Sequence, residues 1–163
     1  MAKMKTLADA FHDELQDLYS AEKQLTKAIP AMAKKASCEK LTKAFQDHLE
    51  QTKMHVQRVA QAFADTGKPA KAKTCEAMKG LIAEADSMME TEADPDVMDA
   101  VLIALAQKIE HYEIATYGTL CTWAEKLSYT AAKKLLGENM DEEEKADKHL
   151  TKLSKAANTA AKA

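Results

Sequence analysis

The run KIEHYEIATYG, residues 108–118, carries two glutamates three positions apart, Glu110 and Glu113, among Ile109, Ile114 and Tyr117. Residues three apart on a helix share a face, so both carboxylates point the same way. Paired oxygen donors of this kind either ligate a metal ion or form a solvated edge. A second acidic pair, Glu143 and Asp147, is spaced by four, and Glu22 stands alone in LYSAEKQL. His48 and His55 are seven apart, two helical turns along one face. Taken singly, each has an ordinary reading as a boundary carboxylate or a hydrogen-bonded core histidine. Taken together they matter only if separate elements bring them to one level.

Four long helical stretches are marked off by turn signals. The first covers residues 4–35, with Pro30 as a kink or early break. Ser37 is placed to cap the second, which runs to about residue 65 and is stopped by Gly67 and Pro69. Residues 70–93 form a connection of roughly 25 residues, long for a link between neighbours, with one short amphipathic helix inside it. Asp94 and Pro95 read as N-cap and first residue of the third helix, which continues to residue 127. Ser128 is placed to cap the fourth, running to about Ser154 before an Ala/Lys tail, with 159–163 frayed. Two hairpins joined by one long crossover make an all-α, ferritin-like antiparallel four-helix bundle, a single domain over 1–158.

Helical phase gives each element an apolar stripe with polar residues at mid-length. The first helix presents Met4, Ala8, Phe11, Leu15, Leu18, Glu22, Leu25 and Ile29. On the second lie Leu41, Phe45, His48, Thr52, His55, Val59 and Phe63, with Gln51 on the shoulder. Glu110 and Glu113 share the third stripe with Ile103, Ala106, Ile114, Tyr117, Cys121 and Ala124; Glu143 and Asp147 share the fourth with Leu136, Met140, Leu150 and Ser154. His111 and His149 fall off their stripes, and Glu142 and Glu144 flank Glu143 on sides that face water. Tyr117 is core packing or a hydrogen-bond partner of a ligand. Met88, Met89 and Met98 read as core filler and Cys121 as a small apolar core residue.

An ionised carboxylate in a dry interior costs several kcal/mol unless it is paired or bound to metal. Five of them, Glu22, Glu110, Glu113, Glu143 and Asp147, cannot share one core unaided. Two metal ions balance that charge, and oxygen ligands with one or two imidazoles in a bundle suit iron or manganese better than structural zinc. One known bundle solution takes a Glu from each of two helices and a Glu-x-x-His from each of the others.

Composition restricts the remaining possibilities. With 163 residues and only 4 Gly and 3 Pro, the chain is rich in helix formers and long enough for one core without staples. A formal net charge of -3 gives no reason to expect a nucleic-acid partner. The 3 cysteines, Cys38, Cys75 and Cys121, lack the spacing of a zinc finger or a disulfide framework. No apolar run is long enough to span a bilayer, and the N-terminal residues meet acidic side chains before any signal-like core. The expected location is the cytoplasm.

The segments DELQDLYSAEKQL, HLEQT, KIEHYEIATYGTL and MDEEEKAD resemble the YciE/YciF family of bacterial ferritin-like stress proteins over nearly the whole chain. The resemblance implies a rubrerythrin-like bundle, a homodimer and a dinuclear metal site, with ferroxidase-like handling of oxygen or peroxide in a stress response. It implies Glu22, Glu110, Glu113, Glu143 and Asp147 as ligands. The family usually has Glu where this chain has Gln51. Either His48 or His55 then compensates, or the site is weakened and the bundle serves a non-catalytic stress or interaction role.

Overall fold

The structure is a computed structural model that describes residues 4–161. The described residues form five α-helices, α1 Leu7–Lys35, α2 Glu39–Ala62, α3 Glu76–Met89, α4 Pro95–Lys126 and α5 Thr130–Ala160, with a 3-10 turn at Phe63–Thr66 after α2. Helices α1 and α2 form one hairpin and α4 and α5 the other. The hairpins pack α1 on α4 and α2 on α5, while α3 lies against α1 and α4. Contacts fix the directions: Ser37 meets Asp99 at one end of the bundle, and Phe11 meets Tyr129 at the other. The crossover must therefore carry the chain back along the bundle between α2 and α4, which is why it is long. This is the expected four-helix bundle with one crossover bearing a short extra helix.

Local chemistry starts and stops the elements, though not always where the sequence suggests. Thr6 and Asp9 form a reciprocal capping box at the start of α1. Pro30 is accommodated without interrupting that helix. Gly67 ends the 3-10 turn in the left-handed conformation at φ 66°, where a side chain would be strained. Asp94 and Pro95 open α4 as expected. Ser37 does not cap α2. The N-cap is Cys38, and Ser37 is drawn to Asp99 of α4, which accepts from the Ser37 amide at 2.8 Å, its hydroxyl at 2.7 Å and the Cys38 amide at 2.9 Å. A carboxylate from another helix thus takes the amides at and just before the N-cap, as the acidic residue of a capping box does locally. Nor does Ser128 cap α5: it turns the chain at φ 59°, Tyr129 is the N-cap, and Asp65 accepts from the Ala132 amide at 2.8 Å. Helix α5 also continues six residues past Ser154, because Leu153 and Ala157 pack on the core.

The interior is two apolar clusters with a polar layer between them. Leu25, Ile29, Leu41, Phe45, Leu102 and Leu150 belong to one, and Phe11, Leu15, Leu18, Val59, Leu120 and Leu136 to the other. Burying each such side chain is worth about 1.5–3 kcal/mol, so each cluster holds its own half of the bundle. Met4 is exposed and lies outside the stripe assigned to it, and Met88 faces solvent while Met98 is core. Cys121 is half-buried at the cluster edge.

Candidate metal centre

The polar layer contains Glu22 from α1, His48 and His55 from α2, Glu110 and Glu113 from α4, and Glu143 from α5. Glu22, His55, Glu113 and Glu143 have no exposed surface at all, and Glu110 is 2% exposed. Two groups of three can each bring one ligand atom per residue within 4.8 Å of the others: Glu22, His55 and Glu143, and His48, Glu113 and Glu143. Glu143 is common to both. His55 Nδ1 stands 3.0 Å from one oxygen of Glu143 and 3.5 Å from Glu22, while His48 Nε2 stands 3.7 Å from the other oxygen of Glu143. Glu143 thus turns one oxygen toward each group and would be shared between them if both held a cation.

The donor atoms are poorly satisfied by the protein. Both oxygens of Glu113, both of Glu143, and one each of Glu22 and Glu110 are buried without a hydrogen-bond partner, as is His55 Nδ1, whose neighbouring carboxylates lie out of line. Buried polar atoms in folded proteins are nearly always paired, and so many orphans at one level fit a centre where a cation completes the coordination. Burial, followed by the charges of Glu143 and Asp147, pushes the Glu110 carboxyl up to about 9. Burial likewise drives Glu113 well above the carboxylate range, with Glu143 and Glu22 adding to the effect. For His55, burial alone would disfavour the imidazolium, but Glu143 and Glu22 outweigh it and raise the ring to about 10. Without a metal, the layer therefore compensates itself with protons.

Further residues hold the donors in place. Tyr117, fully buried, donates its hydroxyl to Glu22 and accepts from Asn139 Nδ2 at 3.0 Å. Arg58, the chain's single arginine, donates to Asn139 Oδ1 at 2.9 Å and to Glu142 at 3.0 Å. Glu142 lies 2.8 Å from His55 Nε2. Glu142, expected from its helical phase to face water, instead falls in the seam between α2 and α5. Its own carboxyl is partly desolvated, yet Arg58 and His55 hold it below the usual range. Asn139 and Arg58 were missed as well. The available signal was their helical phase, three or four residues from His55 and from Glu143.

The remaining candidates sit at the margin. Gln51 is half-buried and its Oε1 lies 3.4 Å from His48 Nδ1, so it faces a ligand candidate rather than the cluster itself. Asp147 is outside both groups of three: Gln107 donates to it at 3.0 Å, and His111 stands 3.5 Å away. Its influence on the centre is the charge it presents to Glu110. His111 is exposed, as its phase requires, and its Nδ1 donates to the backbone carbonyl of Gln107 at 2.8 Å. A groove of about 480 Å³ between α2 and α5 reaches the layer at Glu110 and His48.

Residues 6–163 match the family described as a domain of unknown function, DUF892. The chain belongs to the DUF892 family. It is 49% identical over 152 residues to protein YciF of Escherichia coli strain K12, covering 93% of this chain and 92% of that one. The crystal structure of the E. coli stress protein YciF superposes with a TM-score of 0.93 at 46% identity, covering 97% of this chain and 100% of the other. YcfI from Rhodopseudomonas palustris gives 0.89 at 40% identity, covering 91% and 95%. A Xanthomonas campestris protein, XCC3681, shares the fold at a TM-score of 0.76 and 18% identity, covering 95% of each chain. The likeness to YciF and YcfI covers nearly the whole DUF892 chain, so it shares the bundle with both. Among the described residues of the DUF892 chain, no helix is long and apolar enough to cross a membrane.

Proposed function

We propose that this DUF892 protein holds two iron or manganese ions in its polar layer and reacts with oxygen or peroxide, oxidising Fe(II), as part of a stress response. The observation that carries this reading is the pair of three-residue groups sharing Glu143, lined by buried oxygens that no protein donor satisfies. The residues suit such ions: hard carboxylate oxygens with two imidazoles, and no cysteine among them. The bound pair would supply the electrons that reduce the oxidant.

The chain's own contribution is positional and protonic. Glu142 accepts the Nε2 proton of His55, which leaves Nδ1 as the donor facing Glu22 and Glu143. The Oε1 of Gln51 faces His48 Nδ1, which leaves Nε2 for the side of Glu143. Tyr117 fixes one oxygen of Glu22 and leaves the other unpartnered. The apolar clusters above and below keep bulk water from the layer and strengthen every charge interaction inside it. Glu110 and Glu113, protonated when no cation is present, release their protons as one binds.

A cytoplasmic homodimer is carried over from the family resemblance. Elemental analysis after anaerobic loading with Fe(II) or Mn(II), followed by an Fe(II) oxidation assay, tests the reading. About two ions per chain is the expected result, and fewer than about 0.2 would overturn it. A second reading, a non-catalytic protein on the same bundle, draws on Gln51. It requires that Gln51→Glu create metal binding that the native chain lacks.

A further inference from the structure

The groove between α2 and α5 has features that neither a metal ion nor a small oxidant requires. Its walls are apolar, formed by Phe45, Ala146 and Leu150 with Leu153 toward the open end. Lys40 and Lys43 stand on its α2 side, Lys145 and His149 on its α5 side. Two acidic residues line it, Asp47, whose carboxylate is 2.9 Å from Lys43, and the buried Glu110. Among the described residues, Lys40 and Lys145 form no ion pair. At the inner end lie His48 and Glu110, the latter almost wholly buried with an oxygen that has no partner.

Charge and size both discriminate among occupants. A basic mouth repels divalent cations and attracts anions, so the groove is unsuited as the entry for Fe(II). At about 480 Å³ it is in the range of small-molecule sites and far larger than dioxygen or peroxide needs. Apolar walls with cations at the rim match a molecule with an apolar body and an anionic end. A second copy docked here about a two-fold axis would bring one basic rim close to the other.

We propose that the α2–α5 groove binds an amphipathic carboxylate, with its anionic head held by the lysines along the rim and its apolar chain lying against Phe45, Ala146 and Leu150. The assignment rests on the metal reading only in treating the inner end as a reactive centre. The groove is then the organic-substrate site of that centre.

Decanoate below its micelle concentration is the probe, titrated calorimetrically into the full chain, with decanol as the neutral control. The double variant Lys40→Glu/Lys145→Glu, altered only at exposed positions, is expected to weaken decanoate binding about tenfold or more. Ala146→Trp fills the groove and is expected to abolish binding, with far-UV circular dichroism confirming the fold. Decanol should bind less tightly than decanoate. The assignment is overturned if decanoate does not bind, if both variants bind it as the native chain does, or if decanol binds equally well. Metal content measured on the same samples separates the two readings. Carboxylate binding by a chain that takes up no metal sustains the groove and removes the dinuclear centre, and the reverse result removes only the groove.

Discussion

His55 Nε2 lies 2.8 Å from Glu142 while Nδ1, on the other side of the ring, lies 3.0 Å from Glu143. Two adjacent glutamates on α5 therefore grip one imidazole from opposite sides, one in the helix seam and one in the core. Because a carboxylate only accepts, Glu142 fixes a proton on Nε2 and commits Nδ1 to the layer.

Replacing that anchor should be felt at the metal. Glu142→Gln is expected to weaken metal affinity about 10–100-fold while leaving helicity unchanged. Competition with a chelator of known affinity measures it. Affinity within threefold of native, judged against that expected range, would mean that Glu142 does not orient the ligand.

Metal uptake should release protons, because without a cation Glu110 is pushed up to about 9 and His55 to about 10, and a cation bound beside them favours their deprotonated forms. Affinity should therefore rise with pH from neutrality up to about 9. Calorimetry in buffers of different ionisation enthalpy counts the protons, and a buffer-independent heat would contradict the prediction.

Stability of the metal-free chain should move the other way. His55 has its pKa raised from 6.5 to about 10, so its stabilising contribution is complete below 6.5 and lost as pH rises toward 10. Glu110, raised from 4.5 to about 9, retains a proton in the folded state that the unfolded chain has given up, so folding weakens as pH rises across that interval. The two windows overlap between 6.5 and about 9, where Tm should fall steadily. A Tm that climbs across this range without metal would refute the assignment.

Gln51→Leu removes the acceptor facing His48 and should cost about tenfold or more in metal affinity, whereas Gln51→Glu keeps an acceptor and should retain binding. Both are read by metal content per chain. If Gln51→Glu alone acquires metal, the non-catalytic reading takes precedence.

Asp99 offers a control remote from the centre. Asp99→Ala leaves the amides of Ser37 and Cys38 without their acceptor at a nearly buried site and should destabilise the fold by about 2–3 kcal/mol. Urea denaturation measures the loss, and metal content of the folded fraction should not change.

The inward direction of Glu22, His55, Glu110, Glu113 and Glu143 was legible from the chain, because 100° per residue fixes which side of a helix a residue occupies once the apolar stripe is known. The four-helix connectivity was legible for a related reason: short turns demand hairpins, and one long connection demands a crossover. Serine caps were less secure, since Ser37 and Ser128 compete with carboxylates supplied from elsewhere, Asp99 for one and Asp65 for the other.

Tertiary structure alone decided what lies across the seams. The antiparallel pairing of α2 and α5 brings His55 beside Glu142, 87 positions away, and Arg58 beside Asn139, 81 away. Helical phase says that Glu142 sits one residue round from the core face; it does not say whether solvent or another helix covers that side. The same ambiguity governs Asp147, which shares a stripe with Glu143 but is taken up by Gln107 of α4. Periodicity along one helix fixes which residues point inward, whereas the register between helices determines which donor atoms meet and which nitrogen of each histidine is free to bind.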